Sequence, residues 1–85
     1  KQAAATARKR QRASEARQRR VEKLEQVIAE REAALKDLET RMSQPDFYTD
    51  QDAASAAAAQ HRALMWEIGE LMHQWEELQA VSQDG

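Results

Sequence analysis

At 85 residues, with a third of them charged and 5% aromatic, the chain suits one small helical domain with a modest core. It has no cysteine, which excludes disulfides and thiolate metal sites, and no apolar run approaches the roughly 20 residues of a membrane span. The net charge of −2 hides a division: residues 1–20 hold eight basic residues and one acidic, for +7, while the rest holds five basic and fourteen acidic, for −9.

The basic segment comes first. It opens on Lys1 rather than methionine, as expected of a piece of a longer, cytoplasmic protein. Residues 2–13 contain no helix breaker, so the segment is either a basic linker or a backward extension of the first helix. If it is helical, about 100° per residue puts Lys1, Arg8, Arg12, Arg19 and Lys23 in one sector about 60° wide, opposite the later apolar seam. With their neighbours Lys9 and Arg20, these residues form a candidate phosphate-tracking stripe. Charge alone leaves a solvated linker equally open. No aromatic is interleaved, so base stacking is not implied. Arg10 and Arg17 continue the seam direction with charge, and helix packing should loosen there.

From Val21 the apolar residues fall three and four apart at Val21, Leu24, Ile28, Leu35, Leu38 and Met42, with Arg31 standing at the one polar seam position. The flanking row Glu25, Glu32 and Glu39 is solvent-facing or interhelical. The pattern predicts a helix from about Ser14 to Met42. Pro45 then stops the helix and keeps Gln44 from helical angles. Asp46 and Thr49 offer side-chain oxygens to free N–H groups, and Thr49 with Asp52 resembles a capping box. The tip, 43–50, gathers the chain's only Pro, Phe and Tyr. Phe47 and Tyr48 are expected to fold back over Met42 and the alanines at 53, 54, 56 and 57 as a plug.

The second helix should begin near Asp50 or Gln51 and fade at Ser82 to Gly85. Its seam, Ala57, His61, Leu64, Ile68, Leu71, Trp75 and Leu78, alternates four and three without a break. A connection this short makes antiparallel neighbours. The fold class is therefore all-α, a two-helix antiparallel coiled-coil hairpin: basic segment 1–20, hairpin 21–82, tail 83–85. Apolar matching favours a register in which facing residue numbers sum to 99, joining Leu24 to Trp75 and Leu35 to Leu64.

No catalytic set or cofactor site emerges. His61 lies on the seam as a packed polar layer, His73 faces outward, Asp50 and Asp52 suit a helix start, and there is no Gly-rich phosphate loop. Trp66 projects from the outer face beside Arg62, with Met65 and Met72 flanking the seam. The favoured expectation is that the methionines widen the core stripe while Trp66 lies flat on its neighbours. The alternative is a docking face made of Arg62, Met65, Trp66 and Met72.

The opening RRVEKLEQVIAE, the segment LKDLETRM, the tip QPDFYTD and the terminal WEELQAV resemble the C-terminal coiled-coil domain of ABC-F ATPases. The resemblance covers Val21 to Leu78, and the basic lead-in is similar to the linker after the second ATP-binding cassette. Gln44, Trp66 and Gly69 depart from the usual pattern. The resemblance implies an accessory nucleic-acid-binding domain, for DNA or ribosomal RNA, on a cytoplasmic protein without a membrane domain. The cassettes, with their ATP and Mg, would lie outside this segment. The alternative function is a hairpin that docks on those cassettes or another protein. A fainter likeness, to the N-terminal helical domain of bacterial peptide chain release factors, rests on the proline-aromatic tip, and the WEEL ending disfavours it.

Overall fold

The computed structural model describes the backbone of residues 2–84 and the side chains of residues 2–81. Helix α1 spans Gln2–Met42, a single 3-10 turn spans Phe47–Thr49, and helix α2 spans Gln51–Asp84. The two long helices pack against each other in a rod of 71 × 16 × 15 Å, the antiparallel hairpin expected from the heptads. Three cross-helix contacts report the register: Glu25 with Trp75, Arg31 with Glu67 and Glu39 with His61. Their residue numbers sum to 100, 98 and 100, bracketing 99.

Of the two readings of the basic segment, the helix extension is the one found. Helix α1 begins at Gln2 rather than near Ser14, because the Ala, Arg, Lys and Gln of the basic segment are all good helix formers with no breaker among them. Helix α2 runs from Gln51 to Asp84, within the expected start and the expected fade over Ser82 to Gly85, and Gly85 lies outside the described residues. With facing numbers summing to about 99, α2 ends opposite the middle of the second ten residues of α1. The start of α1 therefore projects as a single helix, and residues 2–15 are all exposed.

The core is thin. Buried apolar residues among those described are Val21, Leu38, Ala57 and Leu64, with Leu38 the most enclosed at 1% exposure. The other seam residues are half-buried, since two helices can cover each other along only one stripe. Leu38 is the most enclosed because the tip closes over it: Leu35, Met42 and Phe47 pack against the cluster it forms with Ala57 and Leu64.

At the tip, Ser43 N–H donates to the Glu39 carbonyl at 3.1 Å and Gln44 N–H to the Arg41 carbonyl at 3.2 Å, closing α1 before Pro45. The expected capping is corrected. Asp50, with extended backbone (φ −104°, ψ 103°), accepts the Ala53 N–H on its Oδ1 at 3.1 Å. Thr49 instead donates its hydroxyl to the Asp46 carbonyl at 2.7 Å, and the Asp46 side chain makes no cap. The 3-10 turn carries Thr49 away from the helix end, leaving Asp50 one residue closer to the free N–H groups. The aromatic plug is also half of what was expected. Phe47 packs on the core, but Tyr48 is 64% exposed and meets Phe47 edge-on, with ring centroids 5.0 Å apart and planes at 88°. Adjacent residues of a 3-10 turn point about 120° apart, so one ring faces in and the next faces out.

Candidate nucleic-acid interface

The arm formed by the start of α1 presents its cations in an unusual state. Arg8, Lys9, Arg12, Arg19, Arg20 and Lys23 are all exposed. Lys1, the remaining member of the candidate stripe, lies outside the described residues. Among the described residues, no cation from Arg8 to Lys23 takes part in an ion pair. The nearby carboxylates accept from amides instead: Glu15 from Gln11 at 3.2 Å and Glu22 from Gln18 at 3.4 Å, each one helical turn away. One continuous helix therefore holds these positive charges on a rigid axis with their hydrogen-bonding capacity unspent.

Arg10 and Arg17 follow the seam side of the arm, as their spacing implied. Arg17 is half-buried beside the end of α2, and Arg10 is exposed where no second helix faces it. Just inside the open end, Arg20 and Lys23 rim an open groove of about 520 Å³ whose apolar lining includes Leu24, Leu78 and Val81. Val81, the last apolar residue of α2, stays more than half exposed there.

Polar contacts across the seam occupy the body of the hairpin. Arg31 Nε donates to Glu67 Oε1 at 2.6 Å, and this hydrogen bond, with the attraction of the Glu67 charge, raises the Arg31 pKa above its ordinary value. Both side chains are partly solvated, so the pair secures register more than stability. Trp75 Nε1–H donates to Glu25 at 3.2 Å, and His61 Nε2 lies 3.1 Å from Glu39 Oε2. His61 is thus the half-buried polar layer expected of a seam histidine, and His73 lies on the outside, 3.0 Å from Glu77 one turn on. Two of the three flanking glutamates are interhelical; the third, Glu32, edges a groove with Ile28, Met72 and Trp75. Among the described residues, no three His, Asp or Glu side chains converge in a way that could hold a metal ion. No helix is long and apolar enough to cross a membrane.

The outer face of α2 corrects the favoured expectation. Trp66 is 71% exposed, Met65 54% and Met72 45%, so the methionines do not extend the core. A seam between two helices spans too narrow an arc to reach positions about 90° away from it. All four residues of the candidate docking face are exposed. Arg62 and Trp66 stand near the outermost line, whereas Met72 lies at the seam edge in the groove with Trp75. Gly69, one turn beyond Trp66, has nothing within 4 Å of where a β-carbon would sit.

Comparison with known proteins places this geometry. A peptide chain release factor 1 from Akkermansia muciniphila is 40% identical over 57 residues, covering 67% of this chain and 15% of the release factor. No solved structure matches the chain. The family description that fits is the ABC transporter C-terminal domain, matched over residues 12–80. That span takes in the whole seam, the tip, and Arg12, Arg19, Arg20 and Lys23, while Arg8 and Lys9 precede it. The helical hairpin, the tip and the matched span agree: the chain belongs to the ABC transporter C-terminal domain family, the C-terminal domain of ABC-F type proteins, and is not itself a catalytic domain.

Proposed function

We propose that this domain is the nucleic-acid-binding appendage of a cytoplasmic ABC-F ATPase, and that it holds DNA or ribosomal RNA by the phosphate backbone through its basic arm. The observation that carries this reading is the unbroken helix from Gln2 into the hairpin, with Arg8, Lys9, Arg12, Arg19 and Arg20 exposed and, among the described residues, outside any ion pair. Nineteen residues of helix extend about 28 Å, long enough to meet several phosphates in succession. The hairpin, at −9 from Val21 onward, repels phosphates and serves as the mount. The relative named for peptide chain release supports translation as the process.

The test is retardation of duplex DNA and of structured RNA by the 85-residue chain across a salt series. Neutralising about five phosphates gives a slope of log K against log salt near −4 to −5 on duplex DNA. Binding is expected to be nearly indifferent to base sequence, because the arm offers charge without a base-reading scaffold. Changing Arg8, Arg12 and Arg19 together to Gln should remove most of the affinity and leave the hairpin's thermal melt in place. A chain beginning at Val21 that binds with the original affinity would refute the reading.

A further inference from the structure

Apart from proline, glycine is the least favourable residue for a helix interior, yet α2 passes through Gly69 in regular helix. Nothing among the described residues requires it. Its φ is not positive, and no atom lies within 4 Å of where a β-carbon would sit. In the register in which facing numbers sum to about 99, Gly69 comes across from Ala29, which is also exposed. The two small residues cut a notch into that side of the hairpin.

The notch has apolar walls and an acidic rim. Met65 stands four residues before Gly69 and Met72 three after it, so both lie along its side of α2, at 54% and 45% exposure. Met72 also enters an open groove of about 430 Å³ with Ile28, Ala29 and Trp75, edged on α1 by Glu25 and Glu32. Trp75 is held there by its Nε1–H bond to Glu25. Glu32, and Glu76 one turn beyond Met72, are in no ion pair among the described residues. Lys36 and Arg62 mark the limit of this acidic stretch toward the tip.

We propose that this groove takes a basic amphipathic helix of a protein partner, lying along the seam with its backbone closest at Gly69 and Ala29. The rim selects the partner by charge: Glu25, Glu32 and Glu76 favour Lys or Arg beside the apolar side chains and repel an acidic helix. Methionine suits the walls because its unbranched thioether repacks around whichever apolar side chain enters. Met65 and Met72 are two turns apart, about 10.5 Å, so the partner's anchors fall at i, i+3 or i+4, and i+7. The missing β-carbon lets the incoming backbone approach α2 more closely than an alanine would. That accounts for a glycine the hairpin alone does not need. The contact lies away from the Arg8–Arg12–Arg19 stripe, and the inference goes beyond the nucleic-acid reading without depending on it.

The probe is a synthetic peptide of three heptads, about 21 residues, with Leu at two positions of each heptad, Lys at the flanking positions and Ala elsewhere. In the Trp66→Phe chain Trp75 is the one remaining tryptophan, so its emission reports on the groove. Saturable binding with a blue shift of that emission is expected, and no response to the same peptide with Glu in place of Lys. Met65→Glu combined with Met72→Glu separates the groove from bulk charge, because it adds acidity while removing the apolar walls. A loss of affinity of about tenfold or more is expected for it, with the thermal melt left in place because both side chains are exposed. Gly69→Ala should raise the melting midpoint and yet weaken the peptide about fivefold. The chain with Arg8, Arg12 and Arg19 changed to Gln should bind the peptide as before. Tighter binding by the double Glu variant, unchanged affinity in Gly69→Ala, an equal response to the Glu peptide, or a Lys peptide that leaves Trp75 emission unmoved would each overturn the inference.

Discussion

Leu38→Ala should be among the most destabilising single truncations in this hairpin. The substitution removes three carbons from a side chain that is 1% exposed, a transfer loss of about 2.4 kcal/mol at about 0.8 kcal/mol per carbon. A cavity term adds to this, but Phe47 and Met42 border the site and the rod is only 16 × 15 Å across, so the neighbours can settle inward. The expected total is about 2.5–3.5 kcal/mol. A chain of this length has roughly 4–13 kcal/mol of stability in all, and so small a buried set places it in the lower part of that range. The melting midpoint should therefore fall by about 10–25 °C, read by circular dichroism of the helix signal. Leu24→Ala is the control: Leu24 is half-buried at the open end, and about 1–1.5 kcal/mol is expected for it. If Leu24→Ala cost as much as Leu38→Ala, the claim that the tip closes the core over Leu38 would be wrong.

Phe47→Ala should cost about 1–3 kcal/mol, less than a full core truncation because the tip is partly wet, whereas Tyr48→Ala should shift the melt by no more than a surface substitution does. Equal losses for the two would mean that both rings plug the hairpin. Asp50→Ala should lower stability by about 0.5–2 kcal/mol through loss of the bond to Ala53 N–H, and Thr49→Ala by less; urea denaturation of the pair would expose the opposite order if Thr49 were the cap. Gly69→Ala should stabilise the chain by about 0.5–1 kcal/mol, since α2 passes through Gly69 in regular helix with open space where the methyl group would go. A lower melting midpoint would show that the site is crowded in solution, as it would be if the neighbouring indole were covered.

The local elements were legible in the residues themselves. Three- and four-residue spacing of the apolar positions defines two helical stripes, Pro45 and its neighbours interrupt them, and so short a connection forces the helices antiparallel. The register followed too, because Leu24, Ile28 and Leu35 can meet Trp75, Leu71 and Leu64 only near a sum of 99. What spacing cannot express is depth. The heptad treats Leu24 and Leu38 alike, and only the folding of Phe47 over the seam makes one of them the centre of the core. Periodicity likewise cannot say how wide an arc a partner covers, so the exposure of Met65 and Met72 had to come from the packed pair. At the tip the choice among Asp46, Thr49 and Asp50 as cap turns on a single 3-10 turn, whose formation is decided by where Phe47 must land. The arm shows the same division: its charge and helix-forming composition are local properties, but which of its residues turn toward α2 is decided by the register of the packed pair.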